Sequence, residues 1–146
     1  MSILIRRLIA SLVFAAVFPL HAMATVVKLD IAFGVQPAGS IYVDLLETEA
    51  PLTVANFLEY VGDGNGNQRY DGTFFHRKVS GFVIQGGGYA YNPALGEFGL
   101  DSAVEVPEDP PVVNEFDPVR SNVRGTLAMA KVSGDPDSAT SQWFIN

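Results

Sequence analysis

Between Val26 and Phe33 the chain alternates. Val27, Leu29, Ile31 and Phe33 fall on one side of an extended backbone, Lys28 and Asp30 on the other. A period of two fits a strand buried on one face and fits no helix. The segment "GVQPAG" then supplies turn chemistry, and "SIYVDLLE", Ser40 to Glu47, is extended again, which predicts a hairpin. One stretch changes period. After Pro51, the residues Val54, Phe57, Leu58 and Val61 recur at helical spacing and Gly62 supplies a stop. Short strands are predicted on both sides of Ser80-Gly81, over Gly125 to Lys131, and over "SQWFIN", Ser141 to Asn146. Many strands and one helix predict a mainly β fold: an antiparallel sheet closing toward a barrel, with a helix plugging one end. From Tyr89 to Arg124 the chain is rich in Pro, Gly, Asp and Glu, and reads as a long functional or wrapping loop.

The first residues have a different character. Arg6 and Arg7 precede an apolar run from Leu8 to Leu20, and Ala22-Met23-Ala24 follows as a small-x-small site. That order predicts a secretory signal peptide over residues 1–24, cut after Ala24, with one domain over 25–146. The apolar run is too short to span a bilayer. A periplasmic or secreted product follows. From Thr25 on, seven Lys and Arg face sixteen Asp and Glu, a formal net charge of −9. Such a surface opposes nucleic acid and anionic membranes. No cysteine is present, so packing alone must hold the fold and thiolate chemistry is excluded.

Much familiar chemistry is missing from the pattern. His76 is the one histidine after Thr25, and no G-x-S-x-G elbow accompanies it. A transition-metal site wants more His, or Cys. The run "DGNGN" from Asp63 imitates a calcium loop, but its twelfth position is Phe74 rather than Glu. No phosphate-binding glycine loop occurs, because Gly86-Gly87-Gly88 opens no helical pattern. His76 is expected to sit in the sheet with its nitrogens partnered by neighbouring groups. An enzyme of this composition works without a nucleophile, a proton shuttle or a metal. Rotation about an amide bond is such a reaction.

One segment stands out against this background. "FFHRKVSGFVIQGGG", Phe74 to Gly88, sets a guanidinium and an amide among Phe, Val and Ile, eight residues apart. It resembles the cyclophilin signature, in which F-H-R is followed by G-F and then Q-G-G. Three further segments agree in order and spacing: "TVANFLEYV" (Thr53 to Val61), "NVRGTLAMAK" (Asn122 to Lys131) and "SATSQWFIN" (Ser138 to Asn146). The last is similar to the bacterial exported branch.

The resemblance implies a peptidyl-prolyl cis-trans isomerase on an eight-stranded antiparallel barrel capped by two helices, with no cofactor. It implies proline-containing polypeptides as clients in periplasmic folding, with cyclosporin-like cyclic peptides as candidate ligands. Carried over by motif, Arg77 is similar to the catalytic arginine. Phe82, Val83, Gln85, Ala130, Lys131, Gln142 and Phe144 fall at substrate-contacting positions. Val83 departs from the methionine often found there, which implies a shallower pocket floor. Lys131 departs from an asparagine, so its backbone rather than its side chain is the expected contact. The resemblance also implies that the chain continues past Asn146, so that the barrel over 25–146 is expected to be incomplete at its C-terminal side.

The residue types suit the reaction. An X-Pro bond crosses a barrier of about 18–20 kcal/mol because the amide is resonance-stabilised. In the twisted state the prolyl nitrogen becomes more basic, and a guanidinium can donate to it without surrendering a proton. Gln85, across the turn at Ser80-Gly81, can hold either the guanidinium or the substrate backbone. Phe82, Val83 and Phe144 would give the proline ring a dry wall. The competing readings are a proline-peptide binding module or chaperone without useful turnover, and a structural exported β-domain with no peptide site. For the two residues themselves, the alternative is that Arg77 reaches solvent from a sheet edge and Gln85 ends a strand.

Overall fold

The structure, a computed structural model, describes residues 24–62, 64, 67–95 and 103–146. The basic and apolar parts of the expected signal peptide lie outside the described residues, as does part of the long acidic loop.

The first hairpin pairs β1 (Val26–Phe33) with β2 (Gln36–Asp44), Val26 opposite Asp44 and Phe33 opposite Gln36. The turn is shorter than the six residues read from the sequence. Gly34, at φ 59°, carries the chain round with Val35 alone, and an irregularity between Ile31 and Ala32 takes up the extra residue of β2. Pro37 is tolerated inside β2 because, among the described residues, the hairpin pairs with no other strand, which leaves an open edge. The alternation buries Val27 and half-buries Leu29 and Ile31, then fades: Phe33 and Val35 project from the body.

Helix α1 (Pro51–Val61) has the bounds the sequence predicts, with Pro51 in its first turn and the Gly62 N–H donating to the Leu58 carbonyl at 2.8 Å. Its buried positions are Val54, Asn56, Phe57 and Tyr60. Leu58 and Val61 only flank that stripe. Tyr60 and Asn56 go inward because each has a polar errand: Asn56 Nδ2 donates to the Thr140 carbonyl at 2.7 Å, and the Tyr60 hydroxyl accepts from the Asp109 N–H at 2.8 Å. The core gathers Val54 and Phe57 of the helix with Val27, Leu45, Met129, Ala139 and Trp143. Tyr70 joins it, its ring 5.3 Å from Tyr60 and its hydroxyl donating to the Ser141 carbonyl at 2.6 Å.

The second sheet carries the site. Its strands are β3 (Arg77–Val79), β4 (Val83–Gly86), β7 (Leu127–Met129) and β8 (Trp143–Ile145), in the spatial order β3-β4-β8-β7, all antiparallel. A third, two-stranded sheet pairs β5 (Tyr89–Tyr91) with β6 (Ala103–Glu105). This hairpin lies inside the segment read as irregular, where short apolar runs among Pro and Gly gave no alternation long enough to see.

The mainly β, antiparallel reading holds. The barrel does not close among the described residues: the ladders form three separate sheets, and one α-helix, not two, packs on them. The reason is in the pairing, since among the described residues the open edges of β1, β2, β3 and β7 meet no further ladder.

Candidate functional site

Residues paired directly across an antiparallel ladder point to the same face. Arg77 pairs with Gln85, Gln85 with Phe144, and Phe144 with Ala128. One row across the sheet therefore carries a guanidinium, an amide, an aromatic ring and a methyl group. Val83, two residues before Gln85, shares this face. The opposite face presents Trp143, Ile145, Leu127 and Met129, which belong to the core or pack against it. The sheet thus separates a packing side from a side free to do chemistry.

Within the row the polar groups are linked. Arg77 Nη1 donates to Gln85 Oε1 at 3.2 Å, and Gln85 Nε2 donates to Gln142 Oε1 at 2.8 Å. Of the two roles open to Gln85, it takes the hold on the guanidinium. Gln142 lies just before β8, where its carbonyl accepts from the Ala130 N–H at 2.8 Å. Val83 is buried and Phe144 half-buried, whereas Phe82 sits in the β3–β4 turn and is 62% exposed. Arg77 is exposed on the edge strand β3. Lys131 Nζ donates to Asn114 Oδ1 at 3.0 Å.

The three glycines have steric work. A Cβ on Gly86 would stand 3.4 Å from the Phe75 ring. On Gly87, at φ 79°, it would stand 2.6 Å from the Trp143 indole, and on Gly88 2.8 Å from the Gln142 side chain. The bare backbone lets Trp143 and Gln142 cross over it.

A groove of about 420 Å³ opens beside Gln142, lined also by Gly88, Tyr89, Glu105, Val106, Pro107 and Glu108. Its outer wall is tied down from several sides. The Val106 N–H donates to the Gly88 carbonyl at 3.0 Å, and Glu108 Oε1 accepts from Thr140 Oγ1 at 2.8 Å. Arg69 stacks on the Tyr60 ring, its Cζ 3.9 Å from the centroid. It donates to the Pro107 carbonyl at 3.0 Å and ion-pairs with Asp109. The hydrogen bond from Arg69 holds the Asp109 carboxyl below its usual range. Sequence reasoning missed Arg69, Tyr60 and Asp109 in this role. Nothing in "NQRYDG" points to an aspartate that lies 40 residues on, in a Pro-rich loop.

His76 is half-buried, and its ring lies edge-on to Tyr89 at 5.0 Å. Its Nδ1 is buried without a hydrogen-bond partner, so the expectation that both nitrogens are served fails for that atom. Burial pushes its pKa below the usual histidine value, helped by the Arg77 charge and opposed by a hydrogen bond with the Gln142 side chain.

The model of the family described as cyclophilin type peptidyl-prolyl cis-trans isomerase matches residues 28–146. Peptidyl-prolyl cis-trans isomerase A of Dickeya dadantii is 42% identical over 109 residues, which cover 75% of this chain and 50% of the relative. Peptidyl-prolyl cis-trans isomerase B of Escherichia coli is 40% identical over 108 residues, which cover 74% of this chain and 57% of the relative. The chain spans about half the length of the curated relatives it matches. Among solved structures, a cyclophilin type peptidyl-prolyl cis-trans isomerase of Cryptosporidium parvum, crystallised in the presence of the dipeptide Ala-Pro, superposes with a TM-score of 0.53 at 28% identity. That match covers 73% of this chain and 61% of the other. By the family match, the shared motifs and this fold, the chain belongs to the cyclophilin-type peptidyl-prolyl cis-trans isomerases.

Proposed function

We propose that this protein accelerates cis-trans rotation about X-Pro bonds in unfolded or flexible polypeptides, with Arg77 as the catalytic residue. The observation that carries the reading is the row Arg77–Gln85–Phe144, in which a guanidinium hydrogen-bonded to Gln85 stands on the same face as an aromatic ring. The proline ring would rest against Phe144 and Val83, with Phe82 closing over it from the turn. Main-chain groups near Ala130, Lys131 and Gln142 would hold the peptide on either side.

In this arrangement Arg77 donates to the prolyl nitrogen as the amide twists. The nitrogen is a poor acceptor while resonance holds its lone pair and a good one when resonance is lost. The bond therefore strengthens in the transition state, which is the condition for catalysis. Phe144 and Val83 exclude water and raise the worth of that bond. Gln85 keeps the guanidinium from wandering to solvent. No group gives up a proton, and no cofactor is required. Proline-containing clients, cyclosporin-like cyclic peptides as ligands, and work in the periplasm complete the proposal. Export rests on the Arg6-Arg7, Leu8–Leu20 and Ala22-Met23-Ala24 order. Exported protein should begin at Thr25, and N-terminal sequencing that found Met1 would remove the periplasmic part.

The exposure of Arg77 and Phe82 favours a second reading, a proline-peptide binding module without turnover. A protease-coupled assay of the full chain on an X-Pro peptide, run beside a binding titration with the same peptide, separates the two. Saturable acceleration supports the isomerase. Binding without acceleration supports the module.

A further inference from the structure

Four successive carbonyls, from Ala139 to Gln142, are each held by a different part of the chain. The Ala139 carbonyl accepts from the Val112 N–H at 2.9 Å, and the Thr140 carbonyl from Asn56 Nδ2 at 2.7 Å. The Ser141 carbonyl accepts from the Tyr70 hydroxyl at 2.6 Å, and the Gln142 carbonyl from the Ala130 N–H at 2.8 Å. All four residues precede β8. Side chains of the helix and of the segment after it do here part of what a neighbouring strand does further on.

The effect concentrates on Gln142. A peptide unit is planar, so pinning its carbonyl also fixes its N–H. The Ser141 carbonyl belongs to the unit that enters Gln142, and the Gln142 carbonyl to the unit that leaves it. Both units flanking the Gln142 Cα are therefore pinned, and the direction in which its side chain sets out is fixed. That side chain crosses Gly88, where a Cβ would stand 2.8 Å from it, and its Oε1 accepts from Gln85 Nε2 at 2.8 Å. Gln85 Oε1 in turn accepts from Arg77. A continuous path of contacts runs from the Tyr70 hydroxyl to the guanidinium.

Tyr70 is suited to be the fixed end of that path. Its ring lies against Tyr60 at 5.3 Å and Phe57 at 5.4 Å, and edge-on to Trp143 at 6.3 Å. Burial among these rings pushes its pKa above the ordinary tyrosine value, so the hydroxyl keeps its proton and donates. Ser141 is fully buried, so its carbonyl has no solvent to fall back on. Deprived of the hydroxyl, it would turn toward another donor. One is near. Trp143 Nε1 is buried without a hydrogen-bond partner, and it and the Ser141 oxygen stand 2.6 and 2.8 Å from the point that a Gly87 Cβ would occupy. The ring of Tyr70 does packing work that a phenylalanine would do as well; the oxygen is the part with a further use.

We propose that Tyr70 is a positioning residue: by holding the Ser141 carbonyl, its hydroxyl fixes the peptide unit that aims Gln142 at Gln85, and so steadies the Arg77 guanidinium from the core. The proposal rests on the isomerase reading for its consequence in turnover, while the arrangement itself belongs to the peptide-free chain.

Tyr70→Phe removes the oxygen and keeps the ring, and NMR of the peptide-free full chain reads the result. In the unaltered chain, one proton of the Gln85 side-chain NH₂ should exchange with water more slowly than the other, because Gln142 holds it. In Tyr70→Phe that exchange should quicken severalfold. The Trp143 indole N–H signal should move downfield as the Ser141 carbonyl turns to it. Val54→Ala, which trims the same core and removes no hydrogen bond, should leave the Gln85 exchange as it was; a merely structural role would make the two variants alike. On an X-Pro peptide, Tyr70→Phe should lower turnover severalfold, and no further once Gln142→Ala is already in place. Unchanged Gln85 exchange in a folded Tyr70→Phe overturns the proposal. So does equally fast exchange of both Gln85 protons in the unaltered chain, a result that needs no variant to fold. Absence of turnover in the unaltered chain counts against the isomerase reading, and the Gln85 signals then decide this proposal by themselves.

Discussion

Glu115 caps Thr53 from 62 residues away. One carboxylate oxygen accepts from the Thr53 N–H at 2.7 Å and the other from the Leu52 N–H at 3.1 Å. Helix α1 needs this because its own Ala50 brings no capping side chain. Burial pushes the Glu115 pKa up, but the bonds from Thr53 and Leu52, with the Arg120 charge, outweigh it and leave the pKa below its usual value. Glu115→Ala should destabilise the fold by about 1–2 kcal/mol in denaturant unfolding, the range for a lost cap. A depressed acid gives stability that is full above the unfolded carboxyl pKa and is lost as pH falls through the folded one. Titrating unfolding midpoints downward from pH 5 should therefore show a loss in the parent that Glu115→Ala lacks. A midpoint within error of the parent's at pH 7 would refute the cap.

Arg77→Ala should lower X-Pro turnover by about 10²–10³, similar to removing one preorganised donor. Arg77→Lys should fail nearly as badly, since a point ammonium cannot reach Gln85 and the prolyl nitrogen with one planar fork. Because Arg77 is exposed on an edge strand, its loss should leave the unfolding transition almost unchanged. Near-normal turnover in folded Arg77→Ala would take the arginine out of the catalytic role.

Gly87→Ala should destabilise by roughly 1–3 kcal/mol or more, because its Cβ would overlap the Trp143 indole and its backbone lies at φ 79°. Trp143 is the chain's one tryptophan, so its emission reports the displacement directly. A variant with unshifted emission and unchanged stability would show that the indole moves aside freely.

The Arg69–Asp109 pair should show a coupling of about 0.5–1 kcal/mol in a double-mutant cycle, the scale of a part-exposed ion pair. Arg69→Ala should cost more than Asp109→Ala, since it also gives up the stack on Tyr60 and the bond to the Pro107 carbonyl. The distinguishing readout is proteolysis within the 105–109 wall, which should quicken in Arg69→Ala. Equal proteolysis in parent and variant would mean the wall is held without the arginine.

How far the sequence could be read follows from how local each cause is. Helix α1 was legible at both ends because Pro51 and Gly62 act on their own neighbours. That Arg77 and Gln85 come together across a turn was legible from Ser80-Gly81 between them, but their register was not, because Phe82 joins that turn and shifts the pairing by one residue. The short ladder of β5 and β6 was not, since three-residue strands show too little alternation to stand out. The inward turn of Tyr60 and the cap from Glu115 were not legible either. Each depends on a partner that only the folded chain brings near. For the candidate site, motif resemblance picked out the residues to look at, while the order of hydrogen bonds through Gln85 and Gln142 needed coordinates.

The strand order β3-β4-β8-β7 also has a kinetic meaning. The hairpins β1–β2 and β3–β4 close over a few residues and can form as soon as they leave the ribosome. The β4–β8 ladder joins Gln85 to Phe144 and must close a long loop before it returns any energy. Arg77 and Gln85 therefore exist as a pair early, while the aromatic wall opposite them arrives late. During synthesis the guanidinium and its amide partner wait, paired and unwalled, until β8 has been made.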